Sequence, residues 1–208
     1  SIRSAGAYPT FKGYQGFPAA VCMSVNEEVI HGIPSRRKLR QGDLLSIDCG
    51  ATLDGFVGDS AITVAIGQAS DEALGLIDCA RDSLMAGIAA AQVGATIGDI
   101  GHAIEKVIVT RGHGIVREYC GHGIGRQLHE DPQVPNYGQA GTGPVIESGW
   151  CIAIEPMVNL GGDAIMTLSD GWTVVTRDGL PSAHYELAIA IMDSGVEILT
   201  LTSNNEYP

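Results

Sequence analysis

The chain has 208 residues, a 45% apolar fraction and a formal net charge of −12. That length suits one domain, or one domain of two similar halves, with a substantial core, and the acidic balance argues against a nucleic-acid grip, which needs a basic face. Five cysteines, an odd number with no C-x-x-C pair, point to a reducing, cytosolic setting, and neither a signal-peptide pattern nor an apolar run of membrane-spanning length is present.

Residues 1–42 read as loop and strand, punctuated by Pro9, Gly13, Gly16, Pro18, Gly32 and Pro34. Arg36, Arg37, Lys38 and Arg40 form a basic cluster that is expected to be a solvated loop without a partner. Residues 43–66 read as a hairpin, because Asp54-Gly55 separates the apolar runs Leu44-Leu45-Ser46-Ile47 and Ala61-Ile62-Thr63-Val64. Two helices follow. Ser70 caps the first, with Asp71 and Glu72 in its opening turn. Its apolar face is expected at Leu74, Ile77, Leu84 and Ile88, and its stop at Gly94. Thr96 and Asp99 have capping-box spacing for the second, whose apolar face is Ile97, Ile100, Ile104, Val107 and Ile108, ended by Gly112. Further strands are predicted over 150–154, 172–176 and 185–192. Strands, then two helices, then strands predict an α+β fold.

Five potential metal ligands are spread along the chain: Asp48, Asp59, His122, Glu155 and Glu186. A two-residue turn at Asp54-Gly55 would set Asp48 opposite Ala61, with Asp59 two residues back. A four-residue loop over 52–55 would set Asp48 opposite Asp59. Either way both carboxylates leave one face of the hairpin, where their repulsion calls for a cation. Glycines flank His122, so the backbone can approach closely and aim an imidazole. Glu155 ends an apolar strand before Pro156, and Glu186 is the acidic residue of a nearly continuous apolar run, where a bare charge is expensive. Four carboxylates and one imidazole suit two divalent cations sharing bridging carboxylates, and so hydrolysis by a metal-activated water. His31 and His129 are candidate donors to a reacting carbonyl or leaving amine. Other motifs fail. His129-Glu130 lacks a second histidine at 133, 121–126 lacks the last glycine of a dinucleotide fingerprint, and neither a phosphate loop nor a G-x-S-x-G elbow occurs.

Val25-Asn26-Glu27, His31-Gly32-Ile33-Pro34, Ser46-Ile47-Asp48, Gly58-Asp59-Ser60, Tyr119-Cys120-Gly121-His122-Gly123-Ile124-Gly125, Ile154-Glu155-Pro156-Met157, Asp170-Gly171-Trp172-Thr173-Val174 and Tyr185-Glu186 together resemble type I methionine aminopeptidase, nearly from end to end. The resemblance implies one catalytic domain over 1–208 with the pita-bread fold, two pseudo-symmetric halves around a dinuclear site. It implies Asp48, Asp59, His122, Glu155 and Glu186 as ligands, Asp59 and Glu186 bridging, with manganese, iron or cobalt as the ions. The implied reaction removes the initiator methionine from nascent polypeptides through a metal-bridging hydroxide. Glu155 would shuttle a proton, His129 would bond the carbonyl oxygen, and His31 would lie near the scissile nitrogen. Phe11, Tyr14, Phe17, Cys22, Leu128 and Trp172 match positions lining the methionine pocket. A cytoplasmic monomer is expected.

Three departures stand out. Leu128 replaces a usual aromatic, and Leu187-Ala188 replace a usual His-Thr. Two helices that normally precede the first strands have no counterpart, so an apolar sheet face is expected to lie open. Two other functions would share parts of this pattern: a proline-specific dinuclear aminopeptidase, and a pita-bread binding protein without catalysis.

Overall fold

A computed structural model describes residues 1–201. In chain order the elements are β1 (Tyr8–Pro9), β2 (Cys22–Val25), β3 (Glu28–Ile30), β4 (Leu44–Leu53), β5 (Phe56–Ala65), α1 (Asp71–Ala90) and α2 (Ile97–Thr110). There follow β6 (Gly114–Ile115), β7 (Gly121–Gly123), β8 (Glu130–Val134), β9 (Trp150–Ile154) and β10 (Met157–Asn159). The chain then closes with β11 (Ile165–Thr167), β12 (Val174–Thr176), β13 (Ser182–His184), β14 (Glu186–Met192) and β15 (Gly195–Ile198).

One long antiparallel sheet runs β1-β4-β5-β14-β9-β7-β8, with β2 also paired to β4 and β15 to β14. Its N-terminal part is the expected hairpin. Leu53 pairs with Phe56 across a two-residue turn whose members, Asp54 and Gly55, have φ of 50° and 81°. Those are the values a type I′ turn needs, and Asp-Gly is the dipeptide that tolerates them. Two three-stranded sheets, β13-β10-β6 and β11-β12-β3, flank the main one.

Both helices pack on one side of the long sheet. Ser70 Oγ accepts the Ala73 N–H to start α1, and Thr96 and Asp99 form the capping box of α2. The buried stripe of α1 is Ala73, Leu76, Ile77, Ala80, Leu84, Gly87 and Ile88. Leu74 is not on it: it is 44% exposed, one residue past the stripe, where the helix turns to water. The helix also stops at Ala90, four residues before Gly94. A Cβ on Gly87 would lie 2.8 Å from Ile104, so α1 and α2 can cross closely there. Their apolar faces meet Ile152, Ile154, Leu187, Ile189 and Ile191 from the sheet in one core. On β4 and β5, Ile47, Cys49, Ala51 and Ile62 are half-buried rather than fully covered.

β12 begins at Val174, two residues after the expected start. The Asp170 carboxylate accepts the N–H groups of Trp172 and Thr173 and the Thr173 hydroxyl, which keeps those residues in a turn. β14 begins at Glu186 for another reason. Ile154 pairs with Leu187 in the long sheet, whereas Met157 pairs with His184 in the small one. Both strands of this ribbon change sheets at one point, Glu155-Pro156 on one side and Tyr185 on the other.

Candidate metal centre

Sheet register assembles the site. Cys22 pairs with Asp48, Asp48 with Ala61 and Ala61 with Glu186, a single row across four strands. Paired residues of an antiparallel sheet project to one side, as do residues two apart on a strand. Asp59 therefore joins that side, two residues before Ala61. Further along, Ala188 pairs with Ala153 and Ala153 with His122. His122 thus projects to the side of Ala153, and Glu155, two residues past Ala153, follows. The alternate residues, Ile152, Ile154, Leu187 and Ile189, go to the helical core. One face of one sheet accordingly carries all five of the expected ligand residues, although 138 positions separate Asp48 from Glu186 in the chain.

Asp59, His122 and Glu186 each offer a ligand atom within 4.8 Å of the others. His122 Nε2 is 3.5 Å from Glu155 Oε1. Oxygens Asp48 Oδ1, Asp59 Oδ1 and Glu186 Oε1 are buried without a hydrogen-bond partner. Orphaned carboxylate oxygens in a buried cluster are a large liability unless something positive sits between them, and this donor set, rich in oxygen with one imidazole, fits divalent cations.

Titration follows the same logic. Desolvation raises Asp48 and Glu155 well above the usual carboxylate range, helped by the Asp59 charge. Desolvation, then the Asp59, Glu155 and Asp48 charges, raises Glu186 in the same way. Burial lifts Asp59 to about 7. His122 moves the opposite way, to about 4, because burial disfavours the imidazolium. It is neutral at physiological pH, as a ligand must be. Its Nδ1 lies 2.9 Å from the Gly123 carbonyl. Donation by Nδ1–H to that oxygen leaves the Nε2 lone pair facing the carboxylates. A Cβ on Gly121 or Gly123 would collide with the carbonyls of Ala153 or Asp131, so both glycines are required where they stand.

The remaining expected residues border the same cavity, of ≈ 140 Å³, as the five acidic and imidazole groups. Phe11, Phe17, Cys22 and Leu128 form a buried cluster against which Tyr14 and Trp172 pack. Gly50 makes room for it, since a Cβ there would lie 2.6 Å from the Phe11 ring. His31, held at φ 59°, stands edge-on to Tyr119 and Trp172, and burial lowers it to about 4. His129 stacks edge-on to His122 at 4.4 Å, and its Nδ1 is 2.7 Å from the Tyr14 hydroxyl.

The structure adds residues that sequence reasoning passed over. Gln15 borders the cavity, and Asn136 Nδ2 donates to the Glu155 carbonyl. His184 is 2% exposed, with Nε2 3.9 Å from Glu155 Oε2. Burial holds it neutral, lowered to about 3. Leu187, one residue after Glu186, points instead into the helical core.

Residues 2–197 match metallopeptidase family M24. The chain is 53% identical over 201 residues to a methionine aminopeptidase of Clostridium acetobutylicum, covering 96% of this chain and 80% of that one. The crystal structure of methionine aminopeptidase from Rickettsia prowazekii superposes with a TM-score of 0.95 at 40% identity, over 96% of this chain and 81% of the other. A prolidase from Pyrococcus furiosus superposes with a TM-score of 0.69 at 22% identity, over 88% of this chain and 49% of its own, which establishes the common pita-bread fold alone. With its fold, its metal-suited cluster and 53% identity to the Clostridium acetobutylicum methionine aminopeptidase over most of both chains, the chain belongs to the methionine aminopeptidases of metallopeptidase family M24.

Proposed function

We propose that this chain is a metal-dependent aminopeptidase that removes the N-terminal methionine of polypeptides, with Asp48, Asp59, His122, Glu155 and Glu186 holding two divalent cations, manganese, iron or cobalt. The observation that carries the reading is the set of orphaned, buried carboxylate oxygens beside His122 on one face of the sheet. Bound cations would supply a water acidic enough to attack a carbonyl at neutral pH and a Lewis acid to polarise that carbonyl.

The chain's own residues do the rest. The unbranched thioether of methionine suits the slot between Phe11, Phe17, Cys22, Leu128 and Trp172, which is apolar and aromatic. A β-branched or prolyl side chain fits such a slot less well. The Tyr14 hydroxyl lies 2.7 Å from His129 Nδ1, and its donation there would leave the proton of the ring on Nε2. That N–H then serves as donor to the carbonyl oxygen as negative charge develops on it. His31, neutral in its aromatic surround, would lie near the amide nitrogen as it leaves. Glu155 takes the proton of the attacking water and delivers it to that nitrogen. A monomer working in the cytoplasm agrees with the acidic chain, its free cysteines and the lack of any helix long and apolar enough to cross a membrane among the described residues.

Release of methionine from Met-Gly-Met in added Mn²⁺ or Co²⁺, with no cleavage of an Xaa-Pro dipeptide, is the expected result. Asp48→Ala should abolish that activity while the far-UV circular dichroism stays near wild type. Substantial turnover in Asp48→Ala would refute the site.

A further inference from the structure

His184 is buried, yet neither of its ring nitrogens has a hydrogen-bond partner. An imidazole left this way forfeits about 1–3 kcal/mol of desolvation, so the position asks for a use. Glu155 Oε2 lies 3.9 Å from His184 Nε2, and Glu155 Oε1 lies 3.5 Å from His122 Nε2. The carboxylate therefore has one edge toward the metal-suited imidazole and the other toward His184. Both backbones are pinned. The His184 N–H donates to Thr63 Oγ1, and that hydroxyl in turn lies 2.9 Å from the His184 carbonyl and 2.8 Å from Ser46 Oγ. Asn136 holds the Glu155 carbonyl, and Met157 pairs with His184 directly. The two side chains face each other across the point where the ribbon changes sheets.

We propose that His184 is a positioning residue: its Nε2–H donates to Glu155 Oε2 in the metal-loaded protein, so that Oε1 alone is turned toward the cation shared with His122. A turn of the carboxylate that closes about 1 Å makes this a hydrogen bond of ordinary length. The inference rests on the metal centre proposed above. It accounts for a polar ring at a site that an apolar residue could fill, and it assigns one Glu155 oxygen to the cation and the other to His184. Partners of this kind fix ligand orientation, and their loss weakens metal binding by roughly 10- to 100-fold.

The test compares wild type with His184→Leu, which removes the donor, and His184→Gln, which keeps one at similar reach. Metal-stripped protein is titrated with Mn²⁺ by calorimetry, and kcat and KM are measured on Met-Gly-Met. His184→Leu should bind one Mn²⁺ roughly 10- to 100-fold more weakly and lose kcat more than KM. His184→Gln should recover most of both. Wild-type Mn²⁺ affinity in His184→Leu overturns the proposal and leaves the metal centre standing. So does a His184→Gln variant as impaired as His184→Leu when both melt near the wild-type temperature. A wild type that binds no Mn²⁺ and releases no methionine overturns the metal centre itself, and this inference with it.

Discussion

Asp59→Asn separates what the acidic cluster does for folding from what it does for metal. Asp59 is 4% exposed, and burial raises it to about 7 in the metal-free protein. A carboxyl with a raised folded-state pKa binds more protons folded than unfolded between the two values. Its contribution to unfolding free energy is therefore retained at low pH and lost as pH climbs from about 4 to 7. At about 1.4 kcal/mol per unit, the two units from pH 5 to 7 come to about 3 kcal/mol. For a chain of this size that is a fall in Tm of roughly 6–12 °C. Asparagine does not titrate, so Asp59→Asn in EDTA should melt slightly above wild type near pH 5 and well above it at pH 7.5. Excess Mn²⁺ should reverse the order at pH 7.5. The cation then stabilises wild type by about 4 kcal/mol at a thousand times Kd and the variant by much less. Scanning fluorimetry at both pH values, with EDTA and with Mn²⁺, gives the four melting temperatures. If Asp59→Asn in EDTA melts below wild type at pH 7.5, the cluster is not electrostatically frustrated and the argument is wrong.

Other expectations concern the pocket, the donor histidine and the helices. Gly50→Ala pushes a methyl against the Phe11 ring; kcat/KM for Met-Gly-Met should drop about 10-fold or more, with Mn²⁺ binding by calorimetry unchanged. Tyr14→Phe removes the partner of His129 Nδ1, so kcat should fall about 10-fold with little change in KM, as loss of an interaction made mainly in the transition state predicts. Thr96→Ala breaks the capping box of α2; stability should fall by about 1 kcal/mol, read in urea denaturation, with turnover unaltered.

Elements with local chemical signatures were legible in the chain. Asp54-Gly55 dictated the hairpin turn and with it the facing of Asp48 and Asp59, and Thr96 with Asp99 marked the start of α2. The acidic and imidazole candidates for metal binding stood out because carboxylates in or beside apolar strands have few inexpensive explanations. β7 and β8 had no such mark. Gly121-His122-Gly123 and 130–134 show no apolar alternation, and they are strands only because β9 and each other supply the partners. Leu74 failed for a subtler reason. Several four-residue steps along α1 look apolar, and only the position of α2 and the sheet selects the stripe through Ala73, Leu76 and Ala80. His184 was missed because a histidine beside a tyrosine in an apolar run reads as core. Its relation to Glu155 comes from a pairing across more than 25 positions of chain.

Between the candidate ligands, this face of the sheet holds Ala61, Ala153 and Ala188 in the pairings that link Asp48 to His122. Methyl groups at these three points keep the floor low, which leaves the height above the backbone to the carboxylates and to the cations and peptide bond they are proposed to hold. Exchange for valine would pass unnoticed in any hydropathy profile, yet each added branch would rise into the space proposed for the reaction. The chemistry of the hollow is set as much by those smallest side chains as by the charged ones around them.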